Sequence, residues 1–206
     1  MGQIHIPNNV LSEEDLQKHG NILFIGDSGS GKSSSTRSVA TAHGVDPFYS
    51  DEHRFDYQFN PFPPGSLASR LLDFLDSNPR WAMDYNPFPG EEDLLKKILA
   101  KTDLAVFLDM KSEDSVHAVG NRSMKIKNGF SAAGGNFSKN IDFGAAMEGW
   151  ISHHHKYSKM KSDILNILKN SGTKLKQITI TRGADNELDY SELNDLVNQI
   201  KTGPAM

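Results

Sequence analysis

Eight consecutive residues constrain this chain more than any other stretch of it. Gly26-Asp-Ser-Gly-Ser-Gly-Lys32-Ser33 meets every fixed position of G-x-x-x-x-G-K-[ST]. The apolar run Asn21-Ile-Leu-Phe-Ile25 before it has the length of a buried strand, and Ser34–His43 after it reads as a helix closed by Gly44. Strand, glycine-rich turn and helix in that order form a cradle for phosphate. Gly26, Gly29 and Gly31 let the backbone aim successive N–H groups at anionic oxygens, and the helix adds the positive end of its dipole. The nucleotide-binding set is therefore Gly26, Asp27, Ser28, Gly29, Ser30, Gly31, Lys32, Ser33 and Ser34. Lys32 supplies a point charge for the β- and γ-phosphates of ATP, and the Ser33 hydroxyl is a ligand for Mg²⁺.

The rest of the pattern agrees with a loop of this kind. After Pro47-Phe-Tyr-Ser-Asp51, read as a short strand, Leu67, Leu71, Leu72 and Leu75 recur at helical spacing. Trp81-Ala-Met-Asp84 reads as a third strand, Glu91–Lys101 as an amphipathic helix and Leu104–Leu108 as a fourth strand ending on Asp109. Residues 120–149 are rich in glycine and poor in large aliphatics, the composition of a lid, placed at about 120–156. Met160–Lys169, Lys176–Thr181 and Ser191–Lys201 close the chain as helix, strand and helix. With 206 residues there is room for one such domain over 1–206 and too little for two. The expected fold is α/β, a doubly wound parallel sheet of the P-loop NTPase, nucleotide-kinase type, with ligands at the C-terminal ends of the strands.

Three acids end predicted strands on that rim. Asp84 is assigned to the Mg²⁺ shell, and Asp51 to the acceptor, whose hydroxyl it would orient. Asp109 is equally well a solvated strand end. Arg54, three residues past Asp51, is read as a clamp on an acceptor phosphate, against the alternative of an ion pair with a nearby acid.

The order of these segments resembles the adenylate-kinase-like P-loop kinases over roughly residues 21–182. Phe48-Tyr-Ser-Asp51-Glu-His-Arg54 is similar to the strand end of polynucleotide kinases, which implies Asp51 as activator of a hydroxyl and Arg54 as holder of a phosphate. Ala82-Met-Asp84-Tyr-Asn86 and the Trp150…Lys161 stretch look like small kinases described as topology-modulation proteins. The resemblance extends to the phage 5-hydroxymethyl-deoxyuridine DNA kinases, which phosphorylate a base hydroxymethyl group during thymidine hypermodification. The family resemblance implies Arg122 over the transferring phosphoryl group and Arg182 near the adenine, the latter against the equal reading of a solvated arginine in an ordinary turn. Lids of this family carry several arginines, whereas here Arg122 stands with Lys125, Lys127, Lys139 and Lys156, which lack the bidentate fork.

Composition narrows the alternatives. Cysteine is absent, which removes disulfide and thiolate chemistry. No apolar run reaches the ~20 residues of a membrane span, so no membrane partner is expected, and the cytoplasm (a host's, for a phage-encoded chain) is the expected compartment. The net charge of −4 argues against gripping nucleic acid by bulk charge, though not against a local basic cleft. His153-His154-His155 point in different directions on a helix and make a poor single metal site. The aromatics Phe55, Tyr57, Phe59 and Phe62 are read as core cover before base-stacking groups. The reading is an ATP-dependent kinase acting on a hydroxyl of a nucleotide or nucleic acid, most specifically 5-hydroxymethyluracil in phage DNA. A nucleoside-monophosphate kinase and a non-kinase P-loop NTPase are the alternatives, and the oligomeric state stays open. Lys32→Ala should weaken nucleotide binding and slow turnover together; full retention of both in equilibrium binding and rate assays would remove the loop from the chemistry.

Overall fold

In a computed structural model of the chain, the described residues are 20–55, 61–111, 113–118, 143–182 and 187–202, with 143–154 and 182 described in backbone only. The elements are β1 (Asn21–Gly26), α1 (Lys32–His43), β2 (Asp46–Tyr49), α2 (Ser50–Arg54), α3 (Ser66–Ser77), β3 (Trp81–Tyr85), α4 (Glu92–Leu99) and β4 (Leu104–Met110). They continue with α5 (113–118), then α6 (Phe143–Asn170), β5 (Lys174–Arg182), β6 (Leu188–Asp189) and α7 (Ser191–Thr202).

The six strands form one sheet in the order β2-β3-β1-β4-β5-β6. β1 to β5 are parallel, and β6 pairs antiparallel to β5 through Thr181–Asp189 and Arg182–Leu188. Parallel strands covered on both faces must be apolar throughout, and alternate side chains divide between the two layers. Leu23, Ile25, Trp81, Met83, Tyr85, Ala105 and Phe107 face a core with α3, α4 and α6, which add Leu71, Leu95, Ile98, Tyr157, Ile164 and Leu168. Ile22, Phe24, Ala82, Val106, Leu108, Ile178 and Ile180 face Val39 and Ala40 of α1 and Leu193, Leu196, Val197 and Ile200 of α7. The doubly wound architecture is thus present. No helix among the described residues is long and apolar enough to cross a membrane.

Two boundaries differ from the sequence reading in ways that matter for the site. β2 stops at Tyr49, where its register with β3 ends opposite Asp84. The next N–H, that of Ser50, is taken by the Asp84 side chain instead of the ladder, so the chain turns into α2 and Asp51 lies in its first turn rather than at a strand end. The second difference is α6, a helix of 28 residues that begins at Phe143. Residues 143–156, placed in the lid by the sequence reading, are helical; the remainder of the lid, with Arg122, Lys125, Lys127 and Lys139, lies outside the described residues.

Gly26 shows how closely β1 and β4 approach at the end that carries the loop. A Cβ on it would sit 2.6 Å from the Leu108 carbonyl oxygen and 3.0 Å from the Leu108 Cβ. Both lie on the neighbouring strand and cannot swing away. Gly26→Ala should therefore lose about 2–3 kcal/mol of stability by forced displacement of the strands, read as a lower midpoint in thermal or urea unfolding; an unchanged midpoint would contradict this packing.

Candidate active site

β1 lies between β3 on one side and β4 on the other, so the connections leave it in opposite directions and a crevice opens at its C-terminal end. Residues 27–31 form the turn in that crevice. Gly29 and Gly31 have φ of 80° and 96°, the left-handed region in which other residues are strained; Gly26 serves close approach instead. The Asp27 carbonyl is the hub of the loop. It accepts the Ser30 hydroxyl at 2.8 Å, the Ser30 N–H at 3.3 Å and the Lys32 ammonium at 2.7 Å. The Asp27 carboxylate is buried and accepts the Ser28 N–H at 2.7 Å.

Residues far away in the chain brace the loop. From α5, the Ser115 hydroxyl donates to the Ser28 carbonyl at 2.6 Å, and the Ala118 methyl lies where a Gly29 Cβ would stand, 2.6 Å from it. From the other side, the Tyr190 hydroxyl donates to the Gly29 carbonyl at 2.7 Å, while Leu193 and the Tyr190 ring close on Gly31. The sequence marks Leu193 only as part of the apolar face of the last helix, and Ser115, Ala118 and Tyr190 not at all, because no local pattern announces a partner 87 or 161 positions away.

At the start of α1 the Ser33 hydroxyl donates to Asp84 Oδ2 at 2.5 Å, and the Ser50 N–H donates to Oδ1 at 2.9 Å. Two residues assigned to the metal from sequence are thus in contact. Asp84 is 3% exposed. Its carboxyl is pushed up to about 6, first by burial and then by the negative charge of Asp51, while Lys32, Ser33 and Ser50 pull it down. Asp51 is exposed beside this corner. Its neighbour Glu52 is also raised, by burial and then by Asp84, with Arg37 opposing. A hydroxyl and a carboxylate at the mouth of a phosphate loop are the hard oxygen donors that suit Mg²⁺. Among the described residues no group of three His, Asp or Glu could hold a metal unaided. Phosphate and water oxygens would have to complete the shell, which is the usual state of Mg²⁺ beside nucleotides.

Arg54 departs from the expectation of an open phosphate clamp. Its side chain is 7% exposed, and both terminal nitrogens bond the two Glu91 oxygens at 2.6 Å. Nη2 also donates to the Asn86 carbonyl at 2.9 Å, and the guanidinium lies 3.9 Å from the centre of the Phe88 ring. The alternative reading, an ion pair with a nearby acid, describes it better, and burial makes that pair part of the interior rather than the surface. Asp109 is neither a free rim acid nor a solvated strand end: it bonds Lys161 of α6 and, at 3.1 Å, the Gln177 amide of β5. Arg182 ends β5 in register with Leu188; its side chain, like Arg122, lies outside the described residues. His155 is exposed. Phe55 packs on Phe88, and Phe62 lies under Arg70, whereas Tyr57 and Phe59 lie outside the described residues.

No protein-family model and no curated protein matches the chain. Among solved structures, a shikimate kinase from Acinetobacter baumannii in complex with shikimate is similar over 92% of this chain and 94% of its own, with a TM-score of 0.51 and 14% identity. A gluconokinase from Sinorhizobium meliloti 1021 covers 89% and 90%, with a TM-score of 0.46 and 14% identity. At 14% identity the likeness to the shikimate kinase speaks for the fold alone, a P-loop NTPase fold in agreement with the loop and sheet described above.

The folded protein holds Asp84 near 6 against 3.8 for the ordinary side chain. Ionising it is thus harder in the folded state than in the unfolded one, and stability falls as pH rises through that window. Asp84→Asn should be more stable than the parent above about pH 6, in chelator and without nucleotide, and no more stable below about pH 4. Thermal melts across pH test this; a constant offset at every pH would refute the electrostatic origin.

Proposed function

We propose that this chain is an ATP-dependent kinase that transfers the γ-phosphoryl group to a hydroxyl. The observation that carries the reading is the Ser33–Asp84 pair at the start of α1 with the exposed Asp51 carboxylate beside it. The loop amides and the Lys32 ammonium would hold the β- and γ-phosphates, and Gly29 and Gly31 leave the backbone bare for them. Ser33 and Asp84 would hold Mg²⁺, which when bound offsets phosphate charge. Asp51 would accept the proton of the acceptor hydroxyl as its oxygen bonds phosphorus and the bond to the bridging oxygen of ADP breaks. Arg122 and the lid lysines would close over the moving group and exclude water, and Arg182 would lie by the adenine.

An acceptor whose attacking group is itself a phosphate, as in a nucleoside-monophosphate kinase, needs no base and would bring that anion directly against Asp51, Glu52 and Asp84. The hydroxyl acceptor is therefore the better reading of the described rim. Its finer identity has two supports. The resemblance at Phe48–Arg54 favours a nucleic-acid hydroxyl, with 5-hydroxymethyluracil in DNA its most specific form and a phage-infected cytoplasm its setting. The likeness in fold to a shikimate kinase favours a small polyol.

A transfer screen with γ-labelled ATP and Mg²⁺ separates these readings. The panel holds duplex DNA with 5-hydroxymethyluracil, 5′-hydroxyl oligonucleotides, shikimate, gluconate and nucleoside monophosphates. Label on monophosphates alone, or free phosphate with no acceptor labelled, would overturn the proposal in favour of one of the alternatives. Asp51→Asn should cut transfer to a hydroxyl on the order of 10²-fold or more with nucleotide binding unchanged; near-normal transfer by this variant would remove Asp51 from the base role.

A further inference from the structure

Asp51 and Arg54 stand three apart on α2, the spacing at which a carboxylate and a guanidinium meet on one helix face. They are close enough that Asp51 still acts on Arg54 electrostatically. Yet the pair does not form. Arg54 turns to Glu91, beyond β3, and Asp51 is left exposed.

The geometry explains why Glu91 wins. Its carboxylate is fixed before Arg54 is counted, since Oε2 accepts the Tyr85 hydroxyl at 2.8 Å and the Phe88 N–H at 2.9 Å. Arg54 then adds two parallel bonds of 2.6 Å in the fork geometry that a guanidinium favours. The Asn86 carbonyl and the Phe88 ring complete its seat. A single exposed carboxylate on the same short helix offers none of this second support. Glu91 also touches both parts of the site. Tyr85 follows Asp84 on β3, and Arg54 ends the helix that begins with Ser50 and Asp51.

We propose that Glu91 is a positioning residue: by occupying both terminal nitrogens of Arg54 it keeps the guanidinium off Asp51 and leaves that carboxylate open to the acceptor hydroxyl. This inference rests on Asp51 having the role given above. Without the Glu91 charge, Arg54 would turn along α2 to the nearest acid, and Asp51 would be paired and withdrawn. Other charges near Asp51 do not take over this restraint: Glu52 and Asp84 are acids, Lys32 acts on Asp84, and Arg37 acts on Glu52.

The test reads Asp51 directly. Carbodiimide coupling of glycine ethyl ester to carboxylates, followed by peptide mass spectrometry, reports how open each acid is, with exposed Glu52 as internal reference. Glu91→Gln should lower labelling of Asp51 by about two- to fivefold, the scale of a helical ion pair at a partly exposed position. The double variant Arg54→Met with Glu91→Gln should restore it, since no guanidinium is then left to turn to Asp51. A merely structural Glu91 would instead loosen the segment in the single variant and raise labelling of Asp51 and Glu52 together. In the transfer assay kcat should fall and recover in the same order while the KM for ATP holds, because the loop is untouched. Glu91→Asp, which keeps the charge and shortens its reach, should give the same direction with a smaller drop and serves if Glu91→Gln does not fold. Unchanged Asp51 labelling in a folded Glu91 variant, or no recovery in the double variant, overturns the inference. Failure of the Asp51→Asn prediction instead overturns the role of Asp51, and the labelling result stands apart from it.

Discussion

The site is organised around one buried carboxylate. Asp84 receives a hydroxyl from the start of α1 and a backbone N–H from the start of α2. It therefore ties α1, α2 and the centre of the sheet to a single pair of oxygens. Burial makes its charge costly, and that cost is offset only in part by Lys32 and the two donors. A cation beside Ser33 would relieve what remains. The same corner that is electrostatically unsettled in the protein alone would thus suit a hard metal and its phosphates.

Around this corner, charge is sorted by partner rather than by distance along the chain. Lys32 rests on a carbonyl of its own loop, Arg54 on Glu91, Lys161 on Asp109. Each of these cations has its position defined before any ligand arrives. The acids divide differently. Asp84, Glu91 and Asp109 are engaged with donors, whereas Asp51 faces solvent. That asymmetry leaves Asp51, with its neighbour Glu52, exposed on this part of the rim.

Much of this was legible in the sequence where the physics is local. The loop motif, the apolar β1 and β4 and the amphipathic α3, α4 and α7 follow from turn chemistry and periodicity within a few residues. The pairing of Ser33 with Asp84 could be anticipated because parallel strands bring their C-terminal ends to one rim. The end of β2 could not, since it depends on whether the Ser50 N–H finds a strand or a side chain. α6 was shortened in the reading because Gly144, Ala145, Ala146 and Gly149 look like loop composition, while its anchoring residues Tyr157, Ile164 and Leu168 lie further on. For Arg54 the sequence leaves a clamp and an ion pair both open, because its partner Glu91 reads as an ordinary helix start.

The bracing of Gly29 by Tyr190 has a bearing on how the protein is made. The loop leaves the ribosome with β1 and its helix, well before the residues that brace it. Its outer wall arrives only with Tyr190, 161 positions after Gly29, and with Leu193 of α7. Until then the nascent chain carries a glycine-rich turn without that wall. A ligand that binds the finished turn would favour the docking of α7 onto it rather than the nucleation of the sheet.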